Sequence, residues 1–233
     1  MSLLVVLPTP EGIVAASDSS FSFGQYRDRA SKIFRLNDRV CWSAVGEYQL
    51  IQRVGSVLAS MRDSSHSLKE LLPTLASVVK SSVRDLLSMD FRTELYVNNL
   101  NAISSLHRAD FVFLEWTTEP QIIHLQSTGH PTLVTHPLFI GAGDSFAGAL
   151  FQRFRHISLN LGSANLLAYR LVEETVQSEL FSLSAPLELW NLTKEENRLL
   201  EEPEIARIKE ELRTLRQHEI AVFERYASGA VSQ

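Results

Sequence analysis

Residues 2–18 read Ser2-Leu3-Leu4-Val5-Val6-Leu7-Pro8-Thr9-Pro10-Glu11-Gly12-Ile13-Val14-Ala15-Ala16-Ser17-Asp18. Ser2 to Leu7 is a β-rich run, closed by two prolines that cannot donate to a strand ladder. Glu11-Gly12 is turn chemistry, and Ile13 to Ala16 returns as a second apolar run, so the chain is expected to open on a hairpin. A polar stretch from Asp18 to Ser31 reads as a loop. Lys32-Ile33-Phe34-Arg35-Leu36 then begins a second hairpin, turned at Asn37-Asp38 and completed by Val40 to Val45, ending at Gly46.

Beyond Gly46 the period changes. Leu50, Ile51, Val54, Val57, Leu58 and Met61 recur at helical spacing, as do Leu68, Leu71, Leu72, Leu75, Val78, Val79, Val83, Leu86 and Leu87. Asp90 to Arg108 reads as irregular. Strands are expected over Ala109–Trp116, Gln121–Gln126 and Thr132–Ile140, helices over Ser145–Arg155 and Ala164–Leu180, and a last strand over Leu187–Leu192. Strands grouped in blocks argue against a doubly wound sheet and suit two antiparallel sheets with helices outside. In Lys194–Gln217, 13 of 24 residues are charged, and Ile205, Ile208, Leu212 and Leu215 form one narrow stripe, the pattern of a solvated helix. The chain therefore divides into a domain over 1–193 and a charged helical extension over 194–233.

Composition sets limits on function. With 22 Lys+Arg against 27 Asp+Glu the net charge is -5, without the basic excess that drives nucleic-acid binding. The lone Cys41 excludes an internal disulfide framework and a thiolate metal cluster. No apolar run reaches the about 18 residues of a membrane span, and the start lacks a positive n-region and a long h-region. The expectation is a cytoplasmic protein with no membrane or nucleic-acid partner, no cofactor and no metal. His130-Pro131 and His136-Pro137 lack a third ligand at sensible spacing. Asn191-Leu192-Thr193 would be a glycosylation sequon only in a secreted protein.

Removal of Met1 would leave Ser2 with a hydroxyl and a free α-amine, whose pKa near 8 lets it act as base for that hydroxyl. Asp18, at the end of an apolar strand, needs a partner if it is interior. Lys32, at the start of another, could pair with it and ease deprotonation of a nearby hydroxyl. Gly46, where strand gives way to helix, allows a backbone N–H to approach a substrate oxygen closely. Each also has a plain reading: a second residue, a turn aspartate, a surface lysine, a helix-start glycine.

Together, Ser2, Gly12-Ile13-Val14-Ala15-Ala16-Ser17-Asp18-Ser19, Lys32-Ile33-Phe34-Arg35-Leu36-Asn37-Asp38-Arg39 and Ala44-Val45-Gly46 resemble the N-terminal part of proteasome β-type subunits, which are N-terminal-nucleophile hydrolases, and bacterial ring proteases of that superfamily. The resemblance covers residues 2–60 well and 109–193 loosely, and does not reach the tail. It implies a four-layer αββα sandwich with an extra C-terminal helix, and a peptidase or amidase working in a homo-oligomer such as a ring. Peptide or protein would be the substrate; a partner ATPase is left open. By the same resemblance Ser2 stands at the threonine nucleophile, Asp18 and Lys32 at the acid–lysine pair, and Gly46 at the oxyanion donor. Gly141-Ala142-Gly143-Asp144 stands at the turn supporting the N-terminal residue, with Ala142 where a serine is usual. Glu179 and Ser182 stand near an aspartate and a serine beside the amine. A catalytically silent scaffold of the same fold is the alternative.

Gly141-Ala142-Gly143-Asp144-Ser145-Phe146-Ala147-Gly148-Ala149-Leu150 also resembles the anion-hole signature of ribokinase-type sugar kinases, with Asp144 as base. Leu138-Phe139 replaces that family's Asp-Thr pair, and no early Gly-Gly motif is present.

Overall fold

A computed structural model describes residues 2–23, 26–90 and 107–227. Ten of its strands form two five-stranded antiparallel sheets. The first has the order β10-β1-β2-β11-β12, with β1 (Leu3–Pro8), β2 (Gly12–Asp18), β10 (Leu138–Gly141), β11 (Leu187–Thr193) and β12 (Asn197–Leu199). The second has the order β5-β6-β7-β8-β9, with β5 (Ile33–Arg35), β6 (Val40–Gly46), β7 (Ala109–Trp116), β8 (Pro120–Gln126) and β9 (Pro131–Val134). Five α-helices complete the described fold: α1 (Tyr48–Leu58), α2 (Leu68–Asp90), α3 (Asp144–Phe151), α4 (Leu161–Gln177) and α5 (Glu202–Ala227). A short 3-10 turn over Ala59–Met61 extends α1.

The alternation of side chains along β1 shows how the pieces fit. Leu3, Val5 and Leu7 pack with Ala147 of α3, with Leu167, Leu171 and Val172 of α4, and with Ile205, Ile208 and Leu212 of α5. Leu4 and Val6 point the other way, into a cluster with Ile33, Cys41, Val112, Leu114 and Ile122 of the second sheet. β1 is apolar on both faces because both are covered. The far face of the second sheet, with Trp42, Phe111 and Phe113, packs on Leu50, Val54 and Leu58 of α1 and Leu71, Leu75 and Val79 of α2. Helix starts are specified locally. Asn160 caps α4 by accepting from the Ser163 N–H at 2.8 Å, while the Ser163 hydroxyl accepts from the Asn160 N–H at 3.0 Å. The buried Glu115 carboxylate accepts from the Leu68 N–H at the start of α2 at 2.9 Å and pairs with Arg39 at 2.9 Å.

Both expected hairpins are present, β1 on β2 and β5 on β6. The Asp18–Ser31 stretch is not a plain loop, since β3 (Ser20–Phe23) and β4 (Tyr26–Arg29) pair within it. The run Thr132–Ile140 is not one strand. Its first part joins β8 and its second joins β1, in different sheets, with Thr135-His136-Pro137 between them. Residues 194–201 are not helical, and β12 pairs with β11 before α5 begins. The helix expected to reach Arg155 ends at Phe151. The irregular segment expected at Asp90–Arg108 lies mostly outside the described residues. Among the described residues, no helix is long and apolar enough to cross a membrane.

Candidate active site

Ser2 sits immediately before β1, and the peptide group that joins it to Leu3 is held at both ends. The Ala142 N–H donates to the Ser2 carbonyl at 2.8 Å, and the next amide, Leu3 N–H, donates to Asp18 Oδ1 at 2.9 Å. This close approach needs Gly141: with φ of +111°, a Cβ there would lie 2.0 Å from the Ser2 carbonyl oxygen and 2.8 Å from Val45 Cγ1. The turn at the end of β10 therefore carries Ser2, and any side chain at 141 would push it away.

Asp18 uses its second oxygen on Lys32, whose Nζ donates to Asp18 Oδ2 at 2.8 Å. Asp18 is wholly buried and the Lys32 side chain is 9% exposed. A second carboxylate completes the group. Glu188 accepts from the Lys32 backbone N–H at 3.0 Å and from the Ser31 hydroxyl at 3.1 Å. Burial lowers the Lys32 ammonium from its ordinary value, outweighing the opposing attraction of Asp18 and Glu188. Burial also raises Glu188 against the bonds it accepts from Lys32 and Ser31. Desolvation thus works against the charge on both groups, and the Lys32 ammonium, held by Asp18, keeps its proton less tightly than a solvated one.

Ser2, Lys32 and Gly46 line one cleft of about 720 Å³. Its walls are apolar where Phe34, Trp42, Ala44 and Ile51 meet; the Phe34 and Trp42 rings stack at 4.8 Å. Gly46 has φ of +136°, and a Cβ there would lie 2.4 Å from the Arg108 carbonyl. The fold therefore demands glycine at 46 whatever chemistry the cleft performs. The turn is further tied by the Glu47 N–H donating to the Arg108 carbonyl at 2.8 Å and by the Glu47 carboxylate on His107 Nδ1 at 2.8 Å.

The remaining expected residues are not among those that line the cleft. Gly143 caps the N-terminus of α3 in the left-handed conformation, and the Asp144 carboxylate accepts from the Ser145 N–H at 2.5 Å. Neither lines the cleft. Glu179 and Ser182 are exposed on the segment after α4, Glu179 with φ of +55°, and they do not line it either. Every ladder between described strands is antiparallel. Strands also come in blocks rather than alternating singly with helices, which does not suit a sugar-kinase fold, and the Gly-Ala-Gly-Asp turn places the Ala142 N–H on the Ser2 carbonyl. Cys41 is buried between the sheets, where burial pushes its thiol up. His130 and His136 are both exposed, while Asn191 is buried.

Sequence reasoning missed Glu188 and the Phe34–Trp42 wall. The signal for Glu188 is one acid inside the otherwise apolar run Leu187–Leu192, in register with Ser17 beside Asp18. The signal for the wall is two aromatics that the β5–β6 register places opposite each other.

No family model and no curated protein matches the chain. Among solved structures it is similar to Anbu (ancestral beta-subunit) from Yersinia bercovieri, with a TM-score of 0.72 and 16% identity over 96% of this chain and 97% of that one. It is similar to Anbu from Pseudomonas aeruginosa, described in a helical assembly, with a TM-score of 0.72 and 18% identity over 96% of each chain. It is also similar to an Anbu (Gly-1) mutant from Hyphomicrobium sp. strain MC1, with a TM-score of 0.68 and 16% identity over 94% and 96%. At such identities the likeness is one of fold. These findings correct the assignment to proteasome β-type subunits and their superfamily drawn from residues 2–60. No sequence match supports it, and the similar structures are ancestral β-subunits of a proteasome-like fold. The physical reason is visible at the site: Asp18 ties down Leu3, Gly46 clears Arg108, and the β10 turn holds Ser2. Those spacings report the fold before they report membership. The likeness also runs into the tail, because 96% coverage leaves only about nine of 233 residues unmatched.

Proposed function

We propose that this chain hydrolyses amide bonds through Ser2, acting as an N-terminal nucleophile once Met1 is removed. The observation that carries the reading is the clamp on Ser2. Its carbonyl is held by Ala142 and the following amide by Asp18, at the mouth of a cleft that Ser2 shares with Lys32 and Gly46. A peptide group gripped at both its carbonyl and its N–H anchors the Cα of Ser2, which supports a constant place for the hydroxyl, as intramolecular base catalysis requires.

In the proposed reaction the Ser2 oxygen attacks the carbonyl carbon of an amide while the Ser2 α-amine takes the hydroxyl proton. The Gly46 N–H donates to the oxyanion. The protonated amine then gives its proton to the departing nitrogen as the C–N bond breaks, leaving an ester on Ser2. Water, deprotonated by the same amine, cleaves that ester and restores the hydroxyl. Lys32, held by Asp18, contributes positive potential beside the Ser2 oxygen. The mechanism uses neither Glu179 nor Ser182, and it requires no cofactor.

We further infer a four-layer αββα arrangement, supported by the three buried clusters that alternate with the two sheets. A homo-oligomer is supported by the helical assembly described for the Pseudomonas aeruginosa protein. Intact mass of the purified protein tests the premise, since complete retention of Met1 sinks the mechanism. An electrophile that reacts with hydroxyl and amine together should label Ser2, and Ser2→Ala should lower amide hydrolysis by about a thousandfold or more. An assembled protein that lacks Met1, shows no labelling and cleaves no amide would be a scaffold instead.

A further inference from the structure

Resting on the reading of Ser2 as nucleophile, we propose that the cleft binds an extended peptide carrying a carboxylate about three to six residues from the bond attacked, received at the end marked by Arg62. The charge of the lining is the first observation. Three cations, Lys32, Arg35 and Arg62, line the cleft among the described residues, and no carboxylate does. The chain as a whole has the opposite balance, 22 basic against 27 acidic residues, so the lining runs against the composition. Such a local excess beside apolar walls concentrates anions.

The second observation is how those charges are engaged. Lys32 is bound to Asp18. Arg35 pairs with Asp38 at 2.7 Å in an exposed pair. Arg62 makes no hydrogen bond or ion pair among the described residues, although it also borders an adjoining depression together with Phe34 and Arg35. A guanidinium left unengaged beside a second one is suited to a carboxylate, which it can hold through two parallel N–H bonds.

The third observation is length. Lys32, just before β5, and Arg35, at its end, are three residues apart, about 10 Å at strand rise. Along α1 and its extension, Tyr48 and Arg62 are 62 − 48 = 14 residues apart, about 21 Å at helical rise. An extended peptide advances about 3.3 Å per residue, so an anion held between Arg35 and Arg62 stands some three to six residues from the carbonyl at Ser2 and Gly46. Between these ends lie Phe34, Trp42, Ala44 and Ile51, which favour an apolar residue beside the carbonyl.

Binding to the full-length Ser2→Ala protein tests this apart from hydrolysis. Two peptides bearing a neutral fluorophore share a Phe at the bond position and differ by Asp-Asp or Lys-Lys four and five residues away; fluorescence polarisation reads their affinities. The acidic peptide is expected to bind about tenfold tighter at low salt, with the ratio shrinking at high salt. Arg62→Glu should reverse the preference and Arg62→Lys should keep it, thermal melting confirming that each variant is folded. Equal affinities, tighter binding of the lysine peptide, no binding of either, or an acidic preference that survives Arg62→Glu would overturn the proposal. Acidic binding intact but no cleavage by the unmodified protein would overturn Ser2 as nucleophile and leave the anion site standing. Cleavage of both peptides at equal kcat/KM would do the reverse.

Discussion

The two sheets are each covered by helices, and the two coverings differ in kind. Over β10-β1-β2-β11-β12, α4 and α5 close against an aliphatic core and are laced at its edge by ion pairs. These are Arg170 to Glu174 at 2.7 Å and Glu219 at 2.8 Å, and Arg216 to Glu173 at 2.7 Å. Over β5-β6-β7-β8-β9, the covering helices leave the 720 Å³ cleft beside Ser2. Its wall on α1 and the following turn includes Gly55, Ser56 and Ala59, and a Cβ at Gly55 would lie 3.3 Å from the Trp42 ring. The same helix-on-sheet packing thus carries an aliphatic core tied by ion pairs on one side and, on the other, a cleft where Gly55, Ser56 and Ala59 stand in place of longer side chains.

The comparison breaks most visibly at the ion pair between the sheets' ends. Lys32→Met takes from the buried Asp18 the ammonium that donates to its Oδ2, and should cost about 3–5 kcal/mol, a fall in Tm of about 6–20 °C for a chain of this size. Differential scanning calorimetry checks it, and Asp18→Asn added to Lys32→Met should recover most of the loss. An unchanged Tm in the single variant would show that the cleft side is held by its apolar walls alone. A smaller effect sharpens the contrast. Gly55→Ala should change stability by no more than about 1 kcal/mol, because the helix gains what the indole contact loses. The same change should raise KM severalfold for substrates with a large residue beside the cleaved bond, as titration with such amides would read. An equal KM would place substrate outside the Trp42 side of the cleft.

The smallest effect belongs to the first sheet and its helices. Arg198 grips Glu204 through both oxygens at 2.7 and 2.8 Å, tying β12 to α5, and holds that carboxyl down at about 2. A depressed folded pKa contributes stability above the ordinary carboxylate value of 4.5, and that contribution is lost as pH falls from there through about 2. Because the Arg198 side chain is 41% exposed, solvent screening keeps the contribution below about 1 kcal/mol. Melting curves of the unmodified protein and Arg198→Met should differ by a degree or two at pH 6 and converge at low pH. A gap that persists there would assign the stabilisation to packing.

How much of this was legible in the sequence follows from distance along the chain. β1/β2 and β5/β6 could be read because their turns, Glu11-Gly12 and Asn37-Asp38, lie between the strands they join. β9 and β10 could not be separated, because what divides Leu133 from Phe139 is the choice of partner, β8 for one and β1 for the other. β12 was hidden by its charge, which reads as the start of a solvated helix although Leu192 and Asn197 pair across a short turn. At the site, Ser2, Lys32 and Gly46 stood out by residue type and spacing, and the structure brings them around one cleft. Glu188 did not, since its bond to the Lys32 amide spans 156 residues. Arg62 carried no signal at all; its meaning depends on which side chains surround it.

The place of β1 within its sheet has one more consequence. It is the second strand of five, with ladders to β10 and β2 and residues Leu3 to Leu7 fully buried. Ordering a residue costs roughly 1–2 kcal/mol of backbone entropy. For Leu3 to Leu7 that cost is met when the sheet forms, so on the proposed reading a substrate would meet a strand that has already surrendered its freedom.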